Sequence, residues 1–112
     1  MIEKGLADGG DIRICGNAQE AVQGADLVVT DTWVSMGYEE TIEHRSSLRP
    51  YQVNESLMRL AAKDALFMHC LPAYRGKEVD ANVIDGKNSV VWQEAENRLH
   101  VQKSILLWCY KK

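Results

Sequence analysis

Apolar residues in this chain come in short runs separated by polar stretches, and the runs alternate between two periods. Ile12-Arg13-Ile14-Cys15 alternates as a short strand does. Asn17 to Val22 reads as a helix, with Asn17 as N-cap, Glu20 three residues on, and Gly24 to stop it. Asp26 to Thr30 is a continuous apolar run of the kind covered on both faces of a sheet. Val53 to Ala62 is amphipathic, with Leu57, Leu60 and Ala61 on one face and Asn54 as the cap. Ala65 to His69 and Asn88 to Trp92 read as further strands. Glu94 to Tyr110 reads as a long helix that buries Ala95, Leu99, Ile105, Leu106 and Trp108. Strand–helix–strand alternation predicts an α/β fold, a parallel sheet of about four strands with helices on both faces. Met1 to Ala7 reads as the end of a helix, so the sheet begins part-way through an alternation and its first edge has little cover. Asp31 to Pro50 has no clean period and reads as a long loop with one helical turn near Tyr38 to Glu43. Loops of this length inside compact domains are uncommon and often functional.

A chain of 112 residues suits one domain, with roughly two-thirds of the unfolded surface available for burial. The formal net charge of -3 argues against nucleic acid or an anionic membrane as the main partner, because phosphate affinity needs a basic excess. No apolar run approaches the ~18–20 residues of a membrane span. Met1 to Gly5 lacks the apolar core of a signal peptide. Cys15, Cys70 and Cys109 are widely spaced and form neither a C-x-x-C pair nor a zinc pattern, which fits a reduced, cytoplasmic setting.

Three polar clusters follow apolar runs, where open α/β sheets present their ligand groups. In the first, Asp31 directly follows a strand, where a carboxylate accepts hydrogen bonds from a ligand's ammonium group. Ser35 adds a hydroxyl, and Gly37 lets the backbone turn or approach closely. An Asx-type turn with Trp33 and Met36 packed on the core explains the same residues more simply. The second is His69-Cys70-Leu71-Pro72. Neighbouring side chains on a strand point to opposite faces, so His69 is badly placed to act as a base for Cys70. Cys70 serves either as a hydrogen-bonding thiol, as a thiolate near cations, or as a buried structural cysteine. A cis Leu71–Pro72 bond would aim the Leu71 carbonyl into the crevice. The third is Glu96 to His100. Arg98 lies early in a helix, where the macrodipole gives a cation nothing, so it fits either an anion or a solvent-facing i,i+4 pair with Glu94. His44 and His100 have no metal spacing.

Taken together, these residues strongly resemble the ornithine carbamoyltransferases, in their ornithine-binding C-terminal domain. The matching strings are Asp31 to Gly37, Tyr51-Gln52-Val53-Asn54, Phe67 to Ala73 and Glu96 to His100, in the same order and spacing. The resemblance implies a partial Rossmann-like domain over residues 1–112. It also implies transfer of a carbamoyl group from carbamoyl phosphate to the δ-amine of L-ornithine, giving L-citrulline and phosphate. Asp31, Ser35 and Met36 would hold ornithine. Cys70, the Leu71 carbonyl and Arg98 would serve carbamoyl phosphate, with Cys70, Asp31 and Arg98 at the reacting centre and the Leu71–Pro72 bond cis. The full enzyme would be a homotrimer.

The chemistry agrees with those roles. An amine attacks only when neutral, so the site must favour loss of its proton. Arg98 would neutralise charge growing on the carbonyl oxygen and the leaving phosphate. Phosphate is already a good leaving group, so no metal or organic cofactor is called for, and the remaining gain is in holding two substrates together. The family's Ser-Thr-Arg-Thr phosphate-binding string and its Asp-Gly-Asn-Asn turn are not in this sequence. The carbamoyl-phosphate domain is therefore expected to be absent, the chain to correspond to about the last third of the enzyme, and turnover by the chain alone to fail. A non-catalytic interaction or regulatory module that joins trimers of an intact enzyme is the alternative from another class. A putrescine carbamoyltransferase is a nearer relative to weigh. Ser35-Met36-Gly37 favours ornithine over putrescine or aspartate, and the lack of any G-x-G-x-x-G string speaks against a dinucleotide-binding half-domain.

Overall fold

The computed structural model describes residues 1–34 and 41–111. In chain order the elements are α1 (Ile2–Ala7), α2 (Ala18–Val22), β1 (Leu27–Thr30) and α3 (Ile42–Leu48). A 3-10 turn (Arg49–Tyr51), α4 (Glu55–Met58), β2 (Leu66–His69), α5 (Ala81–Ile84) and α6 (Val91–Tyr110) follow. The two caps expected from sequence are formed. Asn17 accepts from the Glu20 amide at 2.8 Å and Asn54 from the Leu57 amide at 2.9 Å. Each satisfies an amide that the first turn of a helix leaves without an intrahelical partner. Gly24 follows α2 with φ of +70°. Asn54→Ala is expected to destabilise the chain by about 1 kcal/mol, measured as a lower urea midpoint; no change would mean that α4 is held by packing alone.

The sheet is smaller than the alternation predicts. β1 and β2 pair in parallel, Leu27 with Leu66 through Thr30 with His69, and they are the only strands of the sheet among the described residues. Two expected strands are not there. Ile12 to Cys15 is irregular, with Ile12 41% and Ile14 76% exposed. A strand needs a neighbouring strand to satisfy its backbone, and no described strand pairs with this stretch. Asn88 to Trp92 contributes one bridge. Ser89 pairs with Phe67, Asn88 accepts from the Phe67 amide, Val90 donates to the Phe67 carbonyl, and the helix then starts at Val91.

Nor is the sheet covered on both faces. Val28, Phe67 and His69 share the buried face, while Leu27, Val29 and Leu66 on the other are 45%, 59% and 43% exposed. The core is Val22, Val28, Val53, Leu57, Phe67, Val79, Val83, Ile84 and Val91, packed between that one face and the short helices. The stretch from Asp31 to Pro50 is not all loop, because α3 occupies its second half. The amphipathic stretch at Val53 to Ala62 keeps only one turn of helix, α4.

The long helix shows the largest departure. It starts three residues earlier than expected, at Val91, which is fully buried. Beyond Glu94 every residue through Lys111 is exposed. Ala95, Leu99, Ile105, Leu106 and Trp108 are therefore not core residues. The 20 residues of α6 span about 30 Å, and only its start touches β2. The radius of gyration, 16.5 Å, accordingly exceeds the about 13 Å of a compact chain this long.

Candidate active site

Parallel pairing decides what meets at the sheet's lip. Thr30 lies opposite His69, so the next residues, Asp31 and Cys70, leave neighbouring strand ends side by side, about 4.8 Å apart in backbone. The Cys70 Sγ donates to Asp31 Oδ1 at 3.0 Å, and the Thr32 amide donates to the same oxygen at 2.7 Å. These two hydrogen bonds hold the Asp31 carboxyl below the usual carboxylate range, since both favour its charged form. The same bond, with burial and the Asp31 charge, pushes the Cys70 thiol up. Cys70 is thus a protonated donor here; of the three roles left open by the sequence, the structure selects the hydrogen-bonding thiol. It is exposed, and so is Asp31.

The linkage has two sides. Asp31 is lowered, so its contribution is complete above the ordinary carboxylate pKa and fades as pH falls through the depressed value. Cys70 is raised, so its contribution is complete below the ordinary thiol pKa and fades as pH rises through the elevated one. The thiol–carboxylate bond therefore persists across the whole neutral range.

His69 points the other way, as strand alternation requires. Its side chain is fully buried. The Leu71–Pro72 bond directly after the thiol is cis, and Leu71 has φ of +54°. Glu94, in the first turn of α6, accepts from the His69 amide through Oε2 at 3.1 Å. It brings a second carboxylate to the strand end and also raises the Cys70 thiol. The anticipated Glu94–Arg98 pair is not formed, because Glu94 is engaged with β2. Arg98 is exposed one turn further along the same helix face, about 6 Å up the axis, and has no ion pair with a described residue. It is not in contact with the Asp31–Cys70 pair, yet it stands on the element that reaches that pair. His100 faces Glu96 at 3.9 Å on the exposed side of α6.

Ser35, Met36 and the side chain of His44 lie outside the described residues. Two site residues were not singled out from sequence. Glu94 sits in the first turn after the last strand-like run, a place where carboxylates are favoured. Glu78 carried no local signal; it is fully buried beneath the turn. Among the described residues no group of three His, Cys, Asp or Glu converges on a point that could hold a metal ion. No helix among them is long and apolar enough to cross a membrane. All three cysteines are free thiols. A cleft of about 620 Å³ opens at the opposite end of β2, near Ala65, with Phe67 and Val83 among its lining. Glu55, Arg59, Lys63 and Lys87 also line it, and neither Asp31 nor Cys70 does.

A parallel strand pair with a bonded carboxylate and thiol at adjacent strand ends, beside a cis Leu–Pro turn, is the kind of place where open α/β sheets present groups to ligands. Comparison with known proteins makes it specific. Residues 1–109 match the profile described as aspartate/ornithine carbamoyltransferase, Asp/Orn binding domain, and the chain belongs to that family. The ornithine carbamoyltransferase of Nitrobacter winogradskyi is 61% identical over 103 residues, covering 92% of this chain and 33% of that protein. The solved ornithine carbamoyltransferase from Pyrococcus furiosus superposes with a TM-score of 0.84 at 50% identity, over 93% of this chain and 34% of that one. The anabolic enzyme from Campylobacter jejuni gives 0.88 at 38% identity, over 99% and 37%. The chain spans about a third of the length of the curated relatives it matches.

Proposed function

We propose that residues 1–112 supply the L-ornithine side of a carbamoyl-transfer site and that a carbamoyl-phosphate domain outside this chain supplies the other. The observation that carries this reading is the Asp31–Cys70 hydrogen bond at the strand ends, in a chain that matches the Asp/Orn-binding domain of its family. Asp31 is an ionised acceptor suited to an ammonium group of an amino acid, and Ser35 and Met36 complete that grip. Cys70, the Leu71 carbonyl and Arg98 meet carbamoyl phosphate, with Cys70, Asp31 and Arg98 at the reacting centre. In the reaction the amine nitrogen bonds to the carbamoyl carbon, the carbon–oxygen bond to phosphate breaks, and phosphate leaves with the electron pair as the amine gives up its proton. The larger parallel sheet and the trimeric assembly belong to the same proposal. The half-exposed Leu27, Val29 and Leu66 face is one that a layer of helices would cover in such a sheet.

Titration of ¹⁵N-labelled chain with L-ornithine tests the reading. Amide shifts centred on Asp31, Ser35 and Cys70 are expected, with putrescine and aspartate weaker; no shift at millimolar ornithine sinks it. The purified chain is expected to form no citrulline above background from ornithine and carbamoyl phosphate. A measurable rate would refute the division of the site between two domains.

A further inference from the structure

Beneath the cis turn lie two buried ionisable side chains with no role in the scheme above. His69 and Glu78 are both fully buried. His69 Nδ1 accepts from the Leu71 amide at 2.9 Å, so the imidazole proton sits on Nε2. Nε2 faces Glu78 Oε1 at 3.5 Å, close enough for attraction but not aligned as a hydrogen bond. Glu78 Oε1 accepts from the Tyr74 amide. The Glu78 backbone is itself fixed, its carbonyl accepting from the Val53 amide at 2.8 Å. Both ends of the turn from Leu71 to Tyr74 thus hang on this pair. Burying an imidazole and a carboxylate is unfavourable unless their polar atoms are used, and an apolar pair would leave both amides without these acceptors.

We propose that His69 and Glu78 are positioning residues of the site: His69 Nδ1 holds the Leu71 amide, Glu78 holds the Tyr74 amide, and together they aim the Cys70 thiol and the Leu71 carbonyl. The proposal rests on the reading of Cys70 and Leu71 as site groups. Its mechanism is mechanical. The side chains touch neither the thiol nor the crevice, and they act through two backbone amides of a turn whose shape sets where the thiol points. The charged and titratable groups that face Cys70 are Asp31 from the end of β1 and Glu94 from α6, with His69 beside it in sequence.

Two measurements test it. In the unaltered ¹⁵N-labelled chain, His69 is expected to show an unprotonated Nδ1 coupled through the hydrogen bond to the Leu71 amide, with slowed exchange at Leu71 and Tyr74. A protonated Nδ1, or fast exchange at both amides, overturns the proposal whatever the variants do. The second reads alkylation of Cys70 against pH in a chain carrying Cys15→Ser and Cys109→Ser. In His69→Asn, Oδ1 stands where Nδ1 stood and keeps an acceptor for Leu71; in His69→Gln the side chain reaches only the Nε2 position and loses it. His69→Gln is expected to free the thiol from Asp31 and raise its alkylation rate at neutral pH about three- to tenfold, as half to one pKa unit requires. His69→Asn is expected to stay within about twofold of the parent on the same scale. Folded His69→Gln with the parent profile, or both variants equally released, overturns the proposal. Ornithine titration keeps the two ideas apart. A clamped turn with no ornithine response leaves the positioning intact and removes the substrate reading, and an ornithine response with a free turn does the reverse.

Discussion

Asp31→Asn is expected to weaken L-ornithine binding by about tenfold to a hundredfold, the 1.5–3 kcal/mol typical of a hydrogen bond to a charged group. The substitution keeps the size of the side chain and an oxygen able to accept from the Thr32 amide and the thiol, so the strand ends stay together. What goes is the negative charge. Two results follow from that single loss. The ammonium group of the ligand has no counter-charge, and the Cys70 thiol is no longer pushed up by its neighbour's charge. Its alkylation midpoint should therefore move down toward that of an ordinary thiol. Calorimetry or amide shifts measure the first effect and pH-dependent alkylation the second. Unchanged affinity with a lowered thiol midpoint would leave Asp31 as a partner of Cys70 and remove it from the substrate.

Phe67→Ala is expected to bring the chain close to unfolding at room temperature. Phe67 is fully buried at the centre of β2, and its backbone is the one place where β1, β2 and the Ser89 segment meet. Emptying such a site costs about 3–5 kcal/mol in lost contact and cavity. That is a large share of the roughly 5–15 kcal/mol that holds a domain together, and this one has a core of short elements and a sheet with one open face. Reduced amide dispersion and a urea transition moved to low denaturant would show it. A folded variant with an unchanged midpoint would mean that the sheet centre is not what holds the fold.

How legible each feature was follows from its range along the chain. The caps at Asn17 and Asn54 were readable because donor and acceptor are three residues apart. β1 and β2 were readable as apolar runs bounded by polar turns. The strand at Ile12 was not, because a strand exists only beside another, and periodicity says nothing about whether one is present. The buried positions assigned to α6 failed for a related reason: an apolar residue on a helix marks what some surface would cover, not what is covered. Ile105, Leu106, Leu107 and Trp108 are consecutive, so they point around the whole circumference. At the site, Asp31 and Cys70 were each visible as strand-end residues, but their contact required the register. His69 was rightly separated from Cys70 by alternation. Its partner Glu78 lies nine residues on, beyond the cis turn that the motif had suggested, and no pattern in that stretch pairs the two. Arg98 matched by string alone, and the structure sets it on the helix that reaches the site rather than in contact with the thiol.

The pairing of Thr30 with His69 has one more consequence. A rung of a sheet is a quantum: β1 cannot slide by half a residue, and a slide of one sends alternate side chains to the opposite face. A deletion within Ala25 to Val29 that slipped this register by one would leave every letter of both end motifs intact while separating the acid from the sulfur by about 3.3 Å along the strand. For this chain, motif-preserving is therefore not the same as chemistry-preserving, and indels between the motifs deserve more suspicion than substitutions inside the loops.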